Sequence, residues 1–277
     1  MKEITFQEKQ IFYRTEGNGQ PLILLHGFAE DGNIWNFQVE KLKENFYVIV
    51  PDLPGSGQSE MLEGDISIED YAEVIKAIAD KEIIQARKNK ERKNLLTLIG
   101  HSMGGYISLA FAEKYPELLN AFGLFHSTAY ADDLAKKATR RKGIEFIRKN
   151  DVSTFIKSTT PNLFSEKTKK ENPDVVETVI TQYKNFSGEA LIQYYEAMIR
   201  RPDRTSVLRS FRKPVLFIIG RQDTAVPLQS SLEQCYLPAV SYLHILKNSG
   251  HMGMLEDENA ATAFLLNFLK GNNIFMH

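Results

Sequence analysis

Three residues spread along the chain have the types and local settings for nucleophilic chemistry: Ser102, Asp223 and His251. Ser102 lies in Gly100-His-Ser102-Met-Gly104, a G-x-S-x-G pattern that follows the apolar run Leu95 to Ile99 and opens a helical pattern. A serine at such a strand-to-helix turn projects its hydroxyl above a sheet, and the flanking glycines leave room for a strained, closely packed backbone. The N-terminus of the following helix places partial positive charge where an oxyanion would develop. A serine hydroxyl is barely ionised at neutral pH, so attack requires a base.

Six histidines are candidates for that base. His251, in Asn248-Ser-Gly250-His251-Met-Gly253, sits between the last strand-like run and the last helical pattern and is the choice made here. His101 adjoins the serine, but successive residues of a tight turn point apart, so it suits backbone packing better than base work. His26 and His126 end strand-like runs and are candidates for bordering the site. His244 alternates within a strand, and His277 is terminal. An acid that accepts the second imidazole N–H fixes the tautomer and stabilises the imidazolium formed during attack. Asp223 follows the apolar run Val215 to Ile219 and precedes a helical pattern, which places it at a strand end like the other two.

Positioning these residues takes a scaffold that brings strand ends together. Strand-like runs recur at Ile4 to Phe6, Ile11 to Thr15, Leu22 to Leu25, Tyr47 to Val50, Leu95 to Ile99, Ala121 to Phe125, Val215 to Ile219 and Tyr242 to Leu246. Helical patterns at Ile68 to Arg87, Met103 to Tyr115 and Asn259 to Leu269 lie between or after them; in the first, Tyr71, Val74, Ile75 and Ile78 share one face. Alternating strand and helix implies an α/β fold, a mostly parallel eight-stranded sheet flanked by helices, with the first two strands an antiparallel edge. From about Thr128 to Arg209 no strand-like run occurs, and helical stretches are punctuated by Pro161, Pro173, Gly188 and Pro202.

On these residues the chain resembles the α/β-hydrolase fold superfamily, as a serine esterase-like member, over nearly its whole length. The order Ser102, Asp223, His251 is that architecture's order. Leu24-Leu25-His26-Gly27-Phe28 resembles the family's HG turn after the third strand, which implies that the Phe28 backbone N–H joins that of Met103 in an oxyanion hole. Asp52-Leu-Pro54-Gly55-Ser-Gly57-Gln-Ser59 resembles the family's D-x-P-G-x-G-x-S loop, read here as structural. The helical stretch falls where the family carries its cap, which implies a core of residues 1–127 and 210–277 and a cap of residues 128–209. Serine at position 102, where haloalkane dehalogenases and epoxide hydrolases carry aspartate, implies acyl transfer to water.

The resemblance therefore implies a carboxylesterase-like hydrolase of small or medium carboxylic esters or thioesters. Ser-Met-Gly-Gly elbows are similar to those of small-ester and acyl-thioester hydrolases and monoacylglycerol lipases. They are also similar to those of C–C bond hydrolases and a menaquinone-pathway synthase, whose dianionic substrates would call for Arg200, Arg201, Arg204 or Arg221 in the site. A ligand receptor on the same fold is the non-enzymatic alternative. Aromatic residues of the helical stretch, Tyr130, Phe155, Phe164, Tyr183, Phe186, Tyr194 and Tyr195, are read chiefly as core. Tyr130, Tyr194 and Tyr195, together with His26, His126 and Met252, are the candidate pocket residues.

The whole-chain balance excludes other classes. The 277 residues are 43% hydrophobic, and 34 Lys+Arg against 35 Asp+Glu leave a net charge of -1, so no global field would draw nucleic acid or an anionic membrane. Basic clusters at Arg87, Lys88, Lys90, Arg92 and Lys93 and at Lys136, Lys137, Arg140, Arg141 and Lys142 are read as solvated helix faces. The single cysteine, Cys235, permits no internal disulfide, and no Cys/His group has metal-ligand spacing. No metal or organic cofactor is expected, the expected partner is a small-molecule substrate, and the absence of a long apolar run leads to the expectation of a cytoplasmic protein without membrane insertion.

Overall fold

The computed structural model describes residues 1–87 and 95–272. Strands β1 (Lys2–Phe6), β2 (Lys9–Glu16), β3 (Gln20–Leu25), β4 (Phe46–Pro51), β5 (Leu96–His101), β6 (Leu119–Phe125), β7 (Val215–Gly220) and β8 (Ser241–Leu246) form one sheet. Its order is β1-β2-β4-β3-β5-β6-β7-β8. The pairs β1/β2 and β2/β4 are antiparallel, and the other neighbours are parallel. Each strand-like run of the sequence falls on one of these strands, with Leu95 alone outside, one residue ahead of β5, and the antiparallel edge is where it was expected.

β6, apolar apart from Asn120, and the unbroken apolar β7 are buried at every residue because a parallel strand is covered on both faces. The helices are α1 (Asn36–Leu42), α2 (Ile68–Arg87), α3 (Met103–Lys114), α4 (Leu134–Lys149), α5 (Val152–Thr159), α6 (Glu166–Glu171), α7 (Pro173–Tyr183), α8 (Gly188–Arg200), α9 (Thr205–Ser210), α10 (Leu228–Gln234), α11 (Gly253–Glu256) and α12 (Glu258–Asn272). Strand side chains alternate between the two layers. Leu98 and Phe122 meet Ile75, Ile78 and Ile107 of α2 and α3. Ile99 and Phe125 meet Val39 of α1 and Leu265 and Phe268 of α12. Trp35 is fully buried and packs edge-on to Phe125 at 5.3 Å, a burial that contributes ~3 kcal/mol.

Parallel register decides where the chemistry collects. Leu25 pairs with Gly100, His101 with Phe125, and Phe125 with Ile218. The carboxyl ends of β3, β5, β6 and β7 therefore finish at one edge of the sheet, where open α/β folds place their ligand sites. The loops after them carry Phe28, Ser102, His126 and Asp223, and the loop after β8 adds His251.

Between β6 and β7 the chain forms α4 to α9 and no strand. Its helices are capped locally: Asp133, Asp151, Ser165 and Ser187 each accept a backbone N–H at the start of α4, α5, α6 and α8. Phe155 of α5 and Tyr195 of α8 pack on Phe28, and the Tyr194 hydroxyl donates to the Pro54 carbonyl at 2.8 Å, so these helices lie over the strand ends. Helix α9 differs: Val207 and Leu208 join the core beside α2 and α3, and Arg204 pairs with Glu69 and Glu113.

The basic cluster on α4 is not wholly a solvated face. Arg140 turns inward to the buried Asp132 at 2.5 Å, and Lys136 donates to the Ala225 carbonyl at 2.8 Å. A buried carboxylate requires a counter-charge, and that requirement overrides the solvation preference of Arg140. The basic stretch at Lys88 to Lys93 and His277 lie outside the described residues. Among the described residues no helix is long and apolar enough to cross a membrane.

Candidate active site

Ser102 occupies a backbone position that few L-residues adopt, with φ 50° and ψ −113°. Its N–H donates to the Phe125 carbonyl at 3.0 Å, which pins the turn to β6. A Cβ on Gly100 would lie 2.1 Å from the Gly104 carbonyl oxygen, so only glycine lets α3 return this closely over β5. The side chain is thereby held half-buried at the sheet edge, at the N-terminus of α3.

The His251 ring bridges two of the residues singled out above. Its Nε2 lies 2.9 Å from Ser102 Oγ, and its Nδ1 lies 2.7 Å from Asp223 Oδ2. Asp223 Oδ1 accepts the Ala225 and Val226 N–H groups, both at 2.8 Å. Burial would raise the Asp223 carboxyl, but the attraction of His251 and the hydrogen bonds to the carboxylate outweigh it and hold the group far below its ordinary range. An ionised Asp223 accepts the hydrogen bond of Nδ1–H, which fixes that proton on Nδ1, so the Nε2 lone pair faces the Ser102 hydroxyl. Neither the Phe28 nor the Met103 backbone N–H has an acceptor among the described residues.

The His251 peptide is held from several sides. Its N–H donates to the Leu163 carbonyl at 2.7 Å, and its carbonyl accepts His101 Nε2 at 3.0 Å. Glu256 accepts the Gly250 N–H through one oxygen and the Ser165 N–H through the other, both at 2.8 Å, which ties this loop to the start of α6.

A model of the alpha/beta hydrolase family matches residues 22–263. The chain belongs to that family. It is 26% identical over 267 residues to Lipase 1 of Psychrobacter immobilis, covering 91% of this chain and 78% of that one. It is 24% identical to the pimeloyl-[acyl-carrier protein] methyl ester esterase of Yersinia pseudotuberculosis, covering 95% and 99% of the two chains. A thermophilic esterase from Thermogutta terrifontis, solved with malate bound, superposes with a TM-score of 0.87 at 27% identity over 98% of each chain.

In this α/β-hydrolase several residues named as pocket candidates serve elsewhere. His26 is fully buried; Nδ1 faces the carbonyl of the adjacent Gly27 at 2.9 Å and Nε2 accepts the Leu53 N–H at 2.9 Å, so both ring nitrogens are engaged and the second ties this turn to the loop after β4. His126 is buried behind the acid: Nδ1 accepts the Gly220 N–H at 2.9 Å and lies 3.4 Å from Asp223 Oδ2. Burial pushes its imidazole down to about 4, and its Nε2 has no partner among the described residues. Tyr130 directs its hydroxyl to Glu233 at 3.5 Å on the protein surface. Met252 is buried in the core, where Leu246 and Met254 belong to the same cluster. Tyr194 is also fully buried, its hydroxyl taken by Pro54.

Tyr195 alone among the six candidates is half-buried and stacked on Phe28, with ring centroids 4.3 Å apart. The four arginines considered for a dianion are committed or remote. Arg200 pairs at the surface with Asp65 and Glu196, Arg201 with Asp132 and Arg204 with Glu69 and Glu113, while Arg221 is exposed. The loop at Asp52 is structural as expected: its carboxylate accepts the Gly32 and Gln58 N–H groups at 2.9 and 3.0 Å. Sequence reasoning missed Glu30, which is buried against His101 and gave no signal beyond its proximity to the HG turn.

Proposed function

We propose that the protein is a serine hydrolase of small or medium carboxylic esters or thioesters, carboxylesterase-like, working through an acyl-enzyme on Ser102. The observation that carries this reading is the unbroken hydrogen-bonded line from Ser102 Oγ through His251 to Asp223, at 2.9 and 2.7 Å. Ser102 Oγ attacks the acyl carbon as its proton passes to His251 Nε2. The oxyanion then gains the free N–H groups of Phe28 and Met103, together with the positive end of α3, and each aligned donor lowers the barrier by a few kcal/mol.

Collapse of the tetrahedral intermediate expels the alcohol or thiol, which takes the proton from His251. Water, deprotonated by the same His251, attacks the acyl-enzyme, and Ser102 regains its proton. Asp223 keeps the imidazole in the required tautomer throughout. Every proton transfer is accounted for by these side chains, so the route calls on no metal or organic cofactor.

Residues 1–127 and 210–277 act in this reading as the catalytic core and residues 128–209 as a cap. Tyr195 and Phe155, packed on Phe28, form an aromatic wall next to the oxyanion donors. The relatives named as a lipase, a methyl ester esterase and a thermophilic esterase favour ester cleavage over C–C cleavage, and the arginines' engagement elsewhere weighs against a dianionic substrate held by them. The test is labelling with a fluorophosphonate probe followed by turnover of p-nitrophenyl esters from acetate to dodecanoate beside an acyl-CoA. Wild type should label and Ser102→Ala should not; equal labelling of both, or none of the wild type, overturns the assignment.

A further inference from the structure

Glu30 and His101 are both buried, 3% and 0% exposed, and the triad does not use either of them. His101 Nε2 lies 3.0 Å from the His251 carbonyl oxygen, which can only accept, so Nε2 carries a proton. Its Nδ1 lies 2.9 Å from Glu30 Oε2, and that same oxygen accepts the Gly27 N–H at 2.6 Å. The two side chains therefore join three segments: the Gly27–Phe28 turn, the serine elbow through the chain neighbour of Ser102, and the loop of His251. The fit leaves no slack. A Cβ on Gly27 would lie 2.9 Å from His101 Nδ1, 3.0 Å from Glu30 Oε2 and 3.1 Å from Ser102 Cβ.

We propose that the buried Glu30–His101 ion pair is a positioning device for catalysis, holding the Phe28 oxyanion donor and the His251 base in register with Ser102. The inference rests on the reading of Ser102, His251 and Asp223 as a triad. The His251 peptide is gripped by Leu163 on its N–H and by His101 on its carbonyl, so releasing the second grip frees the imidazole to turn away from Ser102. The Gly27 N–H bond sets the peptide plane just ahead of the Phe28 N–H.

The ion pair makes all three bonds at once. With Glu30 ionised and His101 doubly protonated, one carboxylate oxygen accepts from Nδ1 and from Gly27 while Nε2 donates to His251. Burial acts against both charges, yet each partner's attraction prevails: the Glu30 carboxyl is lowered and the His101 imidazole raised. The other titratable groups facing the pair are His251, with ring centroid 4.9 Å from that of His101, His126 at 6.2 Å, Asp223 beyond them, and His26 beside Glu30. An amide at position 30 cannot reproduce the arrangement. If its oxygen keeps both bonds, His101 becomes a lone buried cation or a neutral ring that gives up Nε2–H; if its nitrogen turns to His101, the Gly27 bond is lost.

The experiment compares wild type, Glu30→Gln, His101→Ala and His101→Gln on p-nitrophenyl butyrate, with active sites counted by fluorophosphonate titration and folding checked by circular dichroism. Glu30→Gln should lose about tenfold or more in kcat with KM within about twofold, as expected when only transition-state positioning is disturbed. His101→Gln, which retains a donor for the His251 carbonyl, should keep more activity than His101→Ala. In a second arm that needs no variant, 15N NMR of histidine-labelled wild type should show both His101 ring nitrogens protonated at pH 7. A neutral His101, or Glu30→Gln with wild-type kcat per titrated site, overturns the proposal alone. Failure of wild type to label at Ser102 removes the triad reading and the proposal with it.

Discussion

In the Asp223→Asn variant the side chain keeps its shape, and the surrounding donors decide which way the amide turns. Asp223 Oδ1 accepts two backbone N–H groups, from Ala225 and Val226, each at 2.8 Å. An NH2 group cannot face two donors, so the asparagine oxygen takes that position and the NH2 meets His251 Nδ1. The imidazole is then fixed with its proton on Nε2, aimed at Ser102 Oγ 2.9 Å away, and has no lone pair with which to take the serine proton. A triad locked in the wrong tautomer loses about 10⁴-fold in kcat, about 5 kcal/mol on the barrier. The assay is kcat on p-nitrophenyl butyrate at pH 7, with folding verified by circular dichroism. Activity within about tenfold of wild type would refute the argument, because it would mean that another group orients His251. A linked stability effect has a defined sign. The Asp223 carboxyl is depressed in the folded state, so its contribution is present above an unfolded carboxyl's ~3.9 and is lost as pH falls below it; the asparagine variant lacks this term.

His126 makes a second pH-dependent contribution in a different window. Its folded pKa is pushed from 6.5 to about 4, so the unfolded chain binds more protons between those values and stability falls by about 3 kcal/mol as pH drops from 7 to 4. Urea unfolding at pH 7 and 4.5 should show this loss in wild type and a smaller one in His126→Asn, and identical losses would count against it. Gly100→Ala should abolish any turnover of p-nitrophenyl butyrate that depends on Ser102 and destabilise by several kcal/mol, because its Cβ would lie 2.1 Å from the Gly104 oxygen; a normal melting temperature would show that the turn can relax. Cys235 is buried and its thiol pushed up to about 12 by burial, so a disulfide reagent at pH 8 should modify it only at the rate of unfolding. Rapid modification under native conditions would contradict its placement.

Much of the scaffold was legible in the amino-acid order because its causes are local. The apolar runs from Leu95 to Ile99 and from Val215 to Ile219 are long enough for a strand and too short for a buried helix. The spacing of Tyr71, Val74, Ile75 and Ile78 gathers them on one face of α2, and all four are buried in the same core. The types and order of Ser102, Asp223 and His251 were legible as well, since each follows a strand end and strand ends of a parallel sheet share one edge. Side-chain direction was not. His26, His126, Tyr130, Tyr194 and Met252 have the right chemistry and neighbourhood for a pocket, but their orientation depends on which distant donor or apolar surface each one meets. Tyr194, for instance, reaches the Pro54 carbonyl 140 residues away.

By itself the sequence determined the strand-turn-helix at Ser102, the helical character of the stretch between β6 and β7, and the alternation that builds the sheet. These rest on backbone conformation and on contacts within a few residues. Only the tertiary structure decided that Glu30 meets His101 across 71 residues, that Arg140 and Arg201 share Asp132, and that the Leu163 carbonyl and His101 grip one peptide at His251. A buried charge seeks whatever partner the packed chain brings within reach, and that partner is set by the register of the sheet and the path of the helical segment.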